Sequence, residues 1–267
     1  MPLKRLALFS CLFAFALSTF AQQSSTPSTP PQPIRDAQAL TVLQSAMAAM
    51  GGASAAAGIQ DFTVQGNEQY VTDPDPTPAT FTWQNSGAEF SYTVQNSNGT
   101  YTALSGHGIP AQLKHGNWIP LPPYVSRAEL AFHNPIFVLY AELENQNYSF
   151  QFMGAGTVEG NAAIHIHASD NSDATGQLVT PQEWYFDPAT FLPMRVEYKA
   201  PDERNAQGST PVSEEFSNYQ AASGFVIPYQ IKIQIGPLLL MANVSLATVN
   251  SGLPASTFDP PTAVGAQ

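Results

Sequence analysis

Apolar and polar residues alternate with a period of two along much of the chain. Phe62 and Val64 alternate with Thr63 and Gln65. The same rhythm runs through Phe81 and Trp83, through Phe90, Tyr92 and Val94, and through Tyr148, Phe150 and Phe152. It returns at Ile164 and Ile166, at Met194, Val196 and Tyr198, and at Tyr229, Ile231, Ile233 and Ile235. Strict alternation predicts antiparallel strands with one dry and one wet face. Before Asp61 the period is helical. Leu40, Leu43, Met47 and Met50 form one stripe, with Asp36 as N-cap and Gly51-Gly52 as the stop. A second helical region interrupts the strands over 126–144. Ser126 to Glu129 has capping-box spacing, and Asn134-Pro135 opens the run Ile136 to Leu143.

The joints follow turn chemistry. Asn98-Gly99 predicts a tight type I′ hairpin, and Ser223-Gly224, Gly236-Pro237 and Asp187-Pro188-Ala189-Thr190 predict other turns. Gly154-Ala155-Gly156 reads as a turn too. The segments 119–124 and 201–208 read as loops, and three Pro bar 73–78 from a strand interior.

About eleven strands at roughly 4.8 Å each give a flat sheet about 50 Å wide. Each helix covers a strip of about 10 Å, so the helices hide about half of the dry face. The remainder must be buried, either by a second sheet or by curling around the helices. Apolar helices in mid-chain favour curling. The fold class expected is therefore mainly antiparallel β with a few helices (α+β): a half-open β-barrel of about eleven strands, with a helical lid over an apolar hollow. The aromatic and branched residues Phe81, Trp83, Phe90, Tyr92, Phe150, Trp184, Phe186, Ile231 and Ile233 are the candidate ligand-binding lining.

Composition narrows the function. The chain has 267 residues, 43% apolar, with 20 Asp+Glu against 9 Lys+Arg. This excludes a disordered chain, and the acidic excess excludes nucleic acid as a partner. Lys4 and Arg5 precede an apolar run from Leu6 to Phe20 that ends at Ala21, the layout of a secretory signal peptide. The expected organisation is a signal peptide over 1–21, a Pro- and Ser-rich linker over 22–35, one β domain over 36–261 and a tail over 262–267. Cleavage would remove Cys11, and no later segment is apolar enough to span a membrane. The expected location is the periplasm or the extracellular space.

Catalytic signatures are missing. No Gly-x-Ser-x-Gly or His-Glu-x-x-His occurs. Ser105-Gly106-His107-Gly108 lacks a third partner. His165 and His167 share a strand face and read as surface histidines rather than metal ligands. Glu214 and Glu215 are adjacent, so they point to opposite faces and read as surface charge. No cofactor, metal or enzymatic activity is expected.

The C-terminal half carries Trp184-Tyr185-Phe186-Asp187-Pro188-Ala189-Thr190-Phe191-Leu192-Pro193-Met194-Arg195, an aromatic strand turning into one that opens with Leu-Pro. Glu215-Phe216-Ser217-Asn218-Tyr219-Gln220, Ser223-Gly224-Phe225-Val226-Ile227-Pro228 and Phe258-Asp259-Pro260-Pro261 follow. Over 36–261 this resembles the LolA-like periplasmic lipoprotein-carrier superfamily. The resemblance implies a half-open barrel with a helical lid that binds acyl chains of lipoproteins or other amphiphiles without a cofactor. The carriers latch the lid with an Arg on an early strand, and here no Arg lies between Arg35 and Arg127. The expected partner is an apolar or amphiphilic ligand, including a lipoprotein acyl chain. The alternative is an envelope interaction or sensor domain that uses the same fold to bind a protein.

Overall fold

The computed structural model describes residues 32–71, 77–114, 116–128 and 134–259. The expected leader over 1–21, Glu129 and Pro260-Pro261 lie outside them. The described residues form α1 (Ala37–Ala49), α2 (Ala53–Ala57), β1 (Phe62–Tyr70), β2 (Ala79–Ser86), β3 (Glu89–Asn96), β4 (Gly99–Gly106), β5 (Ile109–Lys114) and β6 (Asn117–Pro120). Then follow α3 (Pro123–Ala128), α4 (Pro135–Glu144), β7 (Tyr148–Val158), β8 (Asn161–Asp170), α5 (Ala174–Val179) and β9 (Gln182–Phe186). The chain continues through β10 (Pro193–Asp202), β11 (Asn205–Ala222), β12 (Phe225–Ile235) and β13 (Leu238–Val249) to a 3-10 turn, Ala255–Phe258.

All thirteen strands belong to one antiparallel sheet in the order β6-β5-β4-β3-β2-β1-β13-β12-β11-β10-β9-β8-β7. The sheet is not closed, since β6 and β7 are its edges, and the expected half-open barrel is what forms. The strand count exceeds the expected eleven because some strands do not alternate. β13 opens Leu-Leu-Leu-Met, for instance, and β6 is a four-residue edge strand ending at Pro120 within the expected loop.

One row across the inner face shows how the core is built. Ile166, Trp184, Val196, Glu214, Ile233 and Leu240 pair in register over six strands, and all are buried. Helices α1 and α4 complete this core. α1 contributes Leu43 and Met47, its C-cap contributes Met50, and α4 contributes Ile136, Val138 and Leu139. Truncating a residue such as Leu139 to Ala would cost about 2–5 kcal/mol. Asp36 caps α1 as expected, accepting from the Gln38 and Ala39 backbone N–H groups. Just before it, Ile34 and Asp36 hydrogen-bond Phe150 of edge strand β7. Arg35 donates to the Leu143 and Asn145 carbonyls at the end of α4, where a cation is favoured.

Several local expectations are corrected. The Asn98-Gly99 hairpin forms one residue early. Asn96 pairs with Gly99, the Asn96 carboxamide accepts from the Asn98 N–H, and positive φ falls on Gly99 rather than on a type I′ pair. Gly154 is not in a turn but at a bulge inside β7, at φ 101°. Ser126 is not an N-cap. α3 starts at Pro123, whose fixed φ suits a first turn, and Ser126 bonds back to the Pro123 carbonyl. The segment 201–208 is a hairpin in which Asp202 pairs with Asn205.

Candidate functional site

A cavity of about 640 Å³ lies between the sheet and α4. That is within the range of small-molecule sites. Phe62, Phe90, Phe137, Val138 and Ala141 form its apolar wall. Arg127, Glu142, Asn145, Tyr148, Asp170 and Thr180 form a polar corner, and Glu89, Ser105 and His107 stand on the opposite side. Its walls come from β3 and β8, which are eight strand places apart. On a flat sheet those strands would be about 38 Å from one another. One cavity can touch both only because the sheet curls. Side-chain contacts between distant strands record the same curvature. Gln112 of β5 donates to Glu203 in the β10–β11 turn, and Tyr124 of α3 donates to the Asp202 carbonyl.

The apolar wall is fixed by aromatic contacts. Phe137 stacks on Phe62 with ring centroids 4.0 Å apart and meets Phe225 edge-on. α4 presents Phe137, Val138 and Ala141 to the cavity, while Ile136 and Leu139 are fully buried in the core. The polar corner is held by Arg127. Its guanidinium donates to Asp170 at 2.6 Å, to both oxygens of Asp173 at 2.9 Å and to Ser172 at 2.9 Å. These bonds tie α3 to the β8–α5 connection. Beside them, Gln182 donates to Glu142 Oε1 at 2.6 Å and accepts from the Trp184 indole at 2.6 Å. Burial pushes the Glu142 carboxyl up to about 8, against the Gln182 bond and with help from the Asp170 charge. Burial likewise raises the Tyr148 hydroxyl.

Of the nine residues expected to line the hollow, Phe90 is at the cavity wall. Tyr92 lies against Trp83 and donates its hydroxyl to Glu68. Phe81, Trp83, Phe150, Trp184, Phe186, Ile231 and Ile233 are buried in the core cluster behind it. The polar corner escaped the sequence reading. One signal was available: Glu142 is a lone acid inside the apolar run of α4.

Other expectations resolve plainly. Glu214 and Glu215 do point to opposite faces, but Glu214 is not surface charge. It is 1% exposed on the inner face and accepts from Tyr198, while Glu215 pairs with Arg195 and Lys232 outside. Tyr198 explains the burial, because it supplies the partner the carboxyl needs. His165 and His167 each bond a separate oxygen of Glu183. Among the described residues no group of three or more His, Cys, Asp or Glu could hold a metal ion. His107 is held by Glu89 and Asp259 rather than by Ser105. No helix among the described residues is long and apolar enough to cross a membrane.

No protein-family model matches the sequence, and no curated protein matches it. Solved structures do. A protein described as an outer membrane lipoprotein-sorting protein domain, from Vibrio parahaemolyticus, superposes with a TM-score of 0.54 at 12% identity, over 83% of this chain and 96% of its own. A LolA superfamily protein from Nitrosomonas europaea superposes with a TM-score of 0.55 at 11% identity, over 83% and 97%. A DUF1329 family protein from Desulfovibrio piger gives 0.53 at 10% identity, over 83% and 97%. The chain thus has the fold of these structures, a LolA superfamily protein among them.

Proposed function

We propose that the protein is an exported, non-enzymatic binding protein or carrier for an apolar or amphiphilic ligand in the cell envelope. The observation that carries this reading is the cavity, with an apolar wall of Phe62, Phe90 and Phe137 and a polar corner at one side. An acyl chain fits such a site without a charged anchor. Twelve buried methylenes contribute about 10 kcal/mol. Lost rotational and translational freedom opposes this by about 4 kcal/mol or more. The remaining 6 kcal/mol or so corresponds to a Kd of tens of micromolar. The basic and apolar layout of residues 1–21 supports export. The fold neighbour described as lipoprotein-sorting supports a lipid or lipoprotein as cargo.

Native mass spectrometry of protein purified from its own envelope tests this. The expected spectrum contains a co-purifying lipid, and the stripped protein takes up fatty acyl probes. A ligand-free species with no affinity for such probes, recovered instead with one stoichiometric protein, would favour an interaction domain.

A further inference from the structure

The polar corner has a direction, and it follows from hydrogen-bond bookkeeping. The Trp184 indole can only donate. Its 2.6 Å bond therefore fixes Oε1 of Gln182 as the acceptor, and the Gln182 amide nitrogen faces α4. That nitrogen donates to Glu142 Oε1 at 2.6 Å. Oε1 is thereby committed as an acceptor. A proton on the carboxyl must sit on Oε2, which has no hydrogen-bond partner among the described residues although Glu142 is 2% exposed. Glu142 also belongs to the cavity wall. The relay Trp184–Gln182–Glu142 thus ends in one oriented, unused O–H at the edge of an apolar cavity.

We propose that Glu142 is the headgroup contact of this cavity: as a neutral acid it donates to the carbonyl of an acyl ester, and on ionising it lets the ligand go. This rests on the ligand-binding reading above. The surroundings select against an anionic head. From β8, Asp170 faces Glu142 with its own charge, and from β7 Tyr148 adds a hydroxyl held neutral by burial. Arg127 of α3 is the cation in the cavity wall, and it is already shared between Asp170 and Asp173. α1 and α2 carry no titratable side chain. Arg35, ahead of α1, is spent on the carbonyls of Leu143 and Asn145. On α4 itself, Glu144 is exposed and Tyr140 is partly buried. Across the cavity stand Glu89 and His107, which bond one another. A carboxylate would find no spare positive charge here, whereas an uncharged ester needs only the donor.

The test is a binding series from pH 6.5 to 9.5 with decanoate, 1-decanoylglycerol and a diacylglyceryl-cysteine peptide. It uses the wild-type protein and Glu142→Gln, with near-UV circular dichroism at each pH. With the carboxyl near 8, its protonated fraction falls about thirtyfold between pH 7 and 9.5. Wild-type affinity for both esters should weaken by up to that factor. Decanoate should bind at least about tenfold more weakly than its ester at pH 7. Glu142→Gln keeps a donor amide that does not titrate, so it should hold the esters at every pH. The tighter ester identifies whether a free glycerolipid or an acylated protein is the source. Ester binding that is flat with pH in the wild type, or a decanoate as tight as its ester, overturns the assignment of Glu142 while leaving the cavity a ligand site. No binding of any of the three at any pH overturns the binding function itself, and the assignment of Glu142 with it.

Discussion

Arg127→Met removes the one guanidinium that joins α3 to the corner where β8 meets α5, and the cost can be worked from the contacts. The exposed half of the pair contributes little. Asp173 has a side chain 56% exposed, and such surface bridges stabilise by about 0–1 kcal/mol. Asp170 is different, because its side chain is only 11% exposed and meets Arg127 at 2.6 Å. A hydrogen bond to a charged group contributes about 1.5–3 kcal/mol. Breaking a fully buried pair would cost about 3–5 kcal/mol, but the 30% exposure of Arg127 and the two Ser172 donors left on Asp170 keep this case below that. The expected loss is about 2 kcal/mol, which for a chain of this size lowers Tm by about 4–8 °C. Urea unfolding followed by tryptophan fluorescence reads it. A double-mutant cycle with Asp170→Asn should return a coupling of about 1 kcal/mol or more. A loss under about 0.5 kcal/mol with no coupling would mean that water screens the pair and that α3 is held by packing alone.

Three further outcomes follow from the same contacts. Ala141→Trp fills the cavity from α4 while touching no core position, so acyl-probe affinity should fall by about tenfold or more with stability changed by about 0.5 kcal/mol or less; unchanged probe binding would put the ligand elsewhere. Asp61 accepts from the Ser251, Gly252 and Leu253 backbone and the Ser251 hydroxyl. Burial raises its carboxyl, but these bonds outweigh that and hold it below the usual value. Its contribution is complete above the ordinary carboxylate range and is lost as pH falls through the depressed value. The stability gap between wild type and Asp61→Asn should therefore shrink from pH 7 to about pH 2.5, and a constant gap in acid titrations would refute this account. Gly106→Ala places a Cβ against the Phe258 carbonyl oxygen, so it should destabilise by about 1–3 kcal/mol and expose Phe258 to hydrogen exchange or proteolysis near the 3-10 turn.

The fold was legible where one face is dry and the other wet. Phe62-Val64, Phe81-Trp83 and Ile231-Ile233 announce strands, and the excess of dry surface over helix announces curling. Strands without contrast were not legible, since β13 begins with apolar residues on both faces and its pairing with β1 decides which are covered. Turns failed where a side chain outcompeted the backbone preference, as the Asn96 carboxamide does. The site was hardest to read because its parts are remote in sequence. Arg127, Glu142, Asp170 and Gln182 come from α3, α4, β8 and β9 and meet only once the helices pack on those strands, and each alone is an ordinary polar residue. The aromatic lining was sought on the strands, whereas α4 supplies Phe137 to the cavity wall.

The chain builds this sheet as two runs of successive hairpins, β1 to β6 and β7 to β13, and joins them along a single seam where β1 meets β13. Every pairing within a run is between neighbours in sequence, and β8 and β9 are joined through the short helix α5 where most of the others are joined by a turn. The seam brings Phe62 to Val249 across the whole intervening chain. Loop-closure entropy grows only slowly with length, so this distant pairing adds little to the equilibrium cost. It weighs instead on the rate, because the slowest event in refolding should be the meeting of two preformed halves.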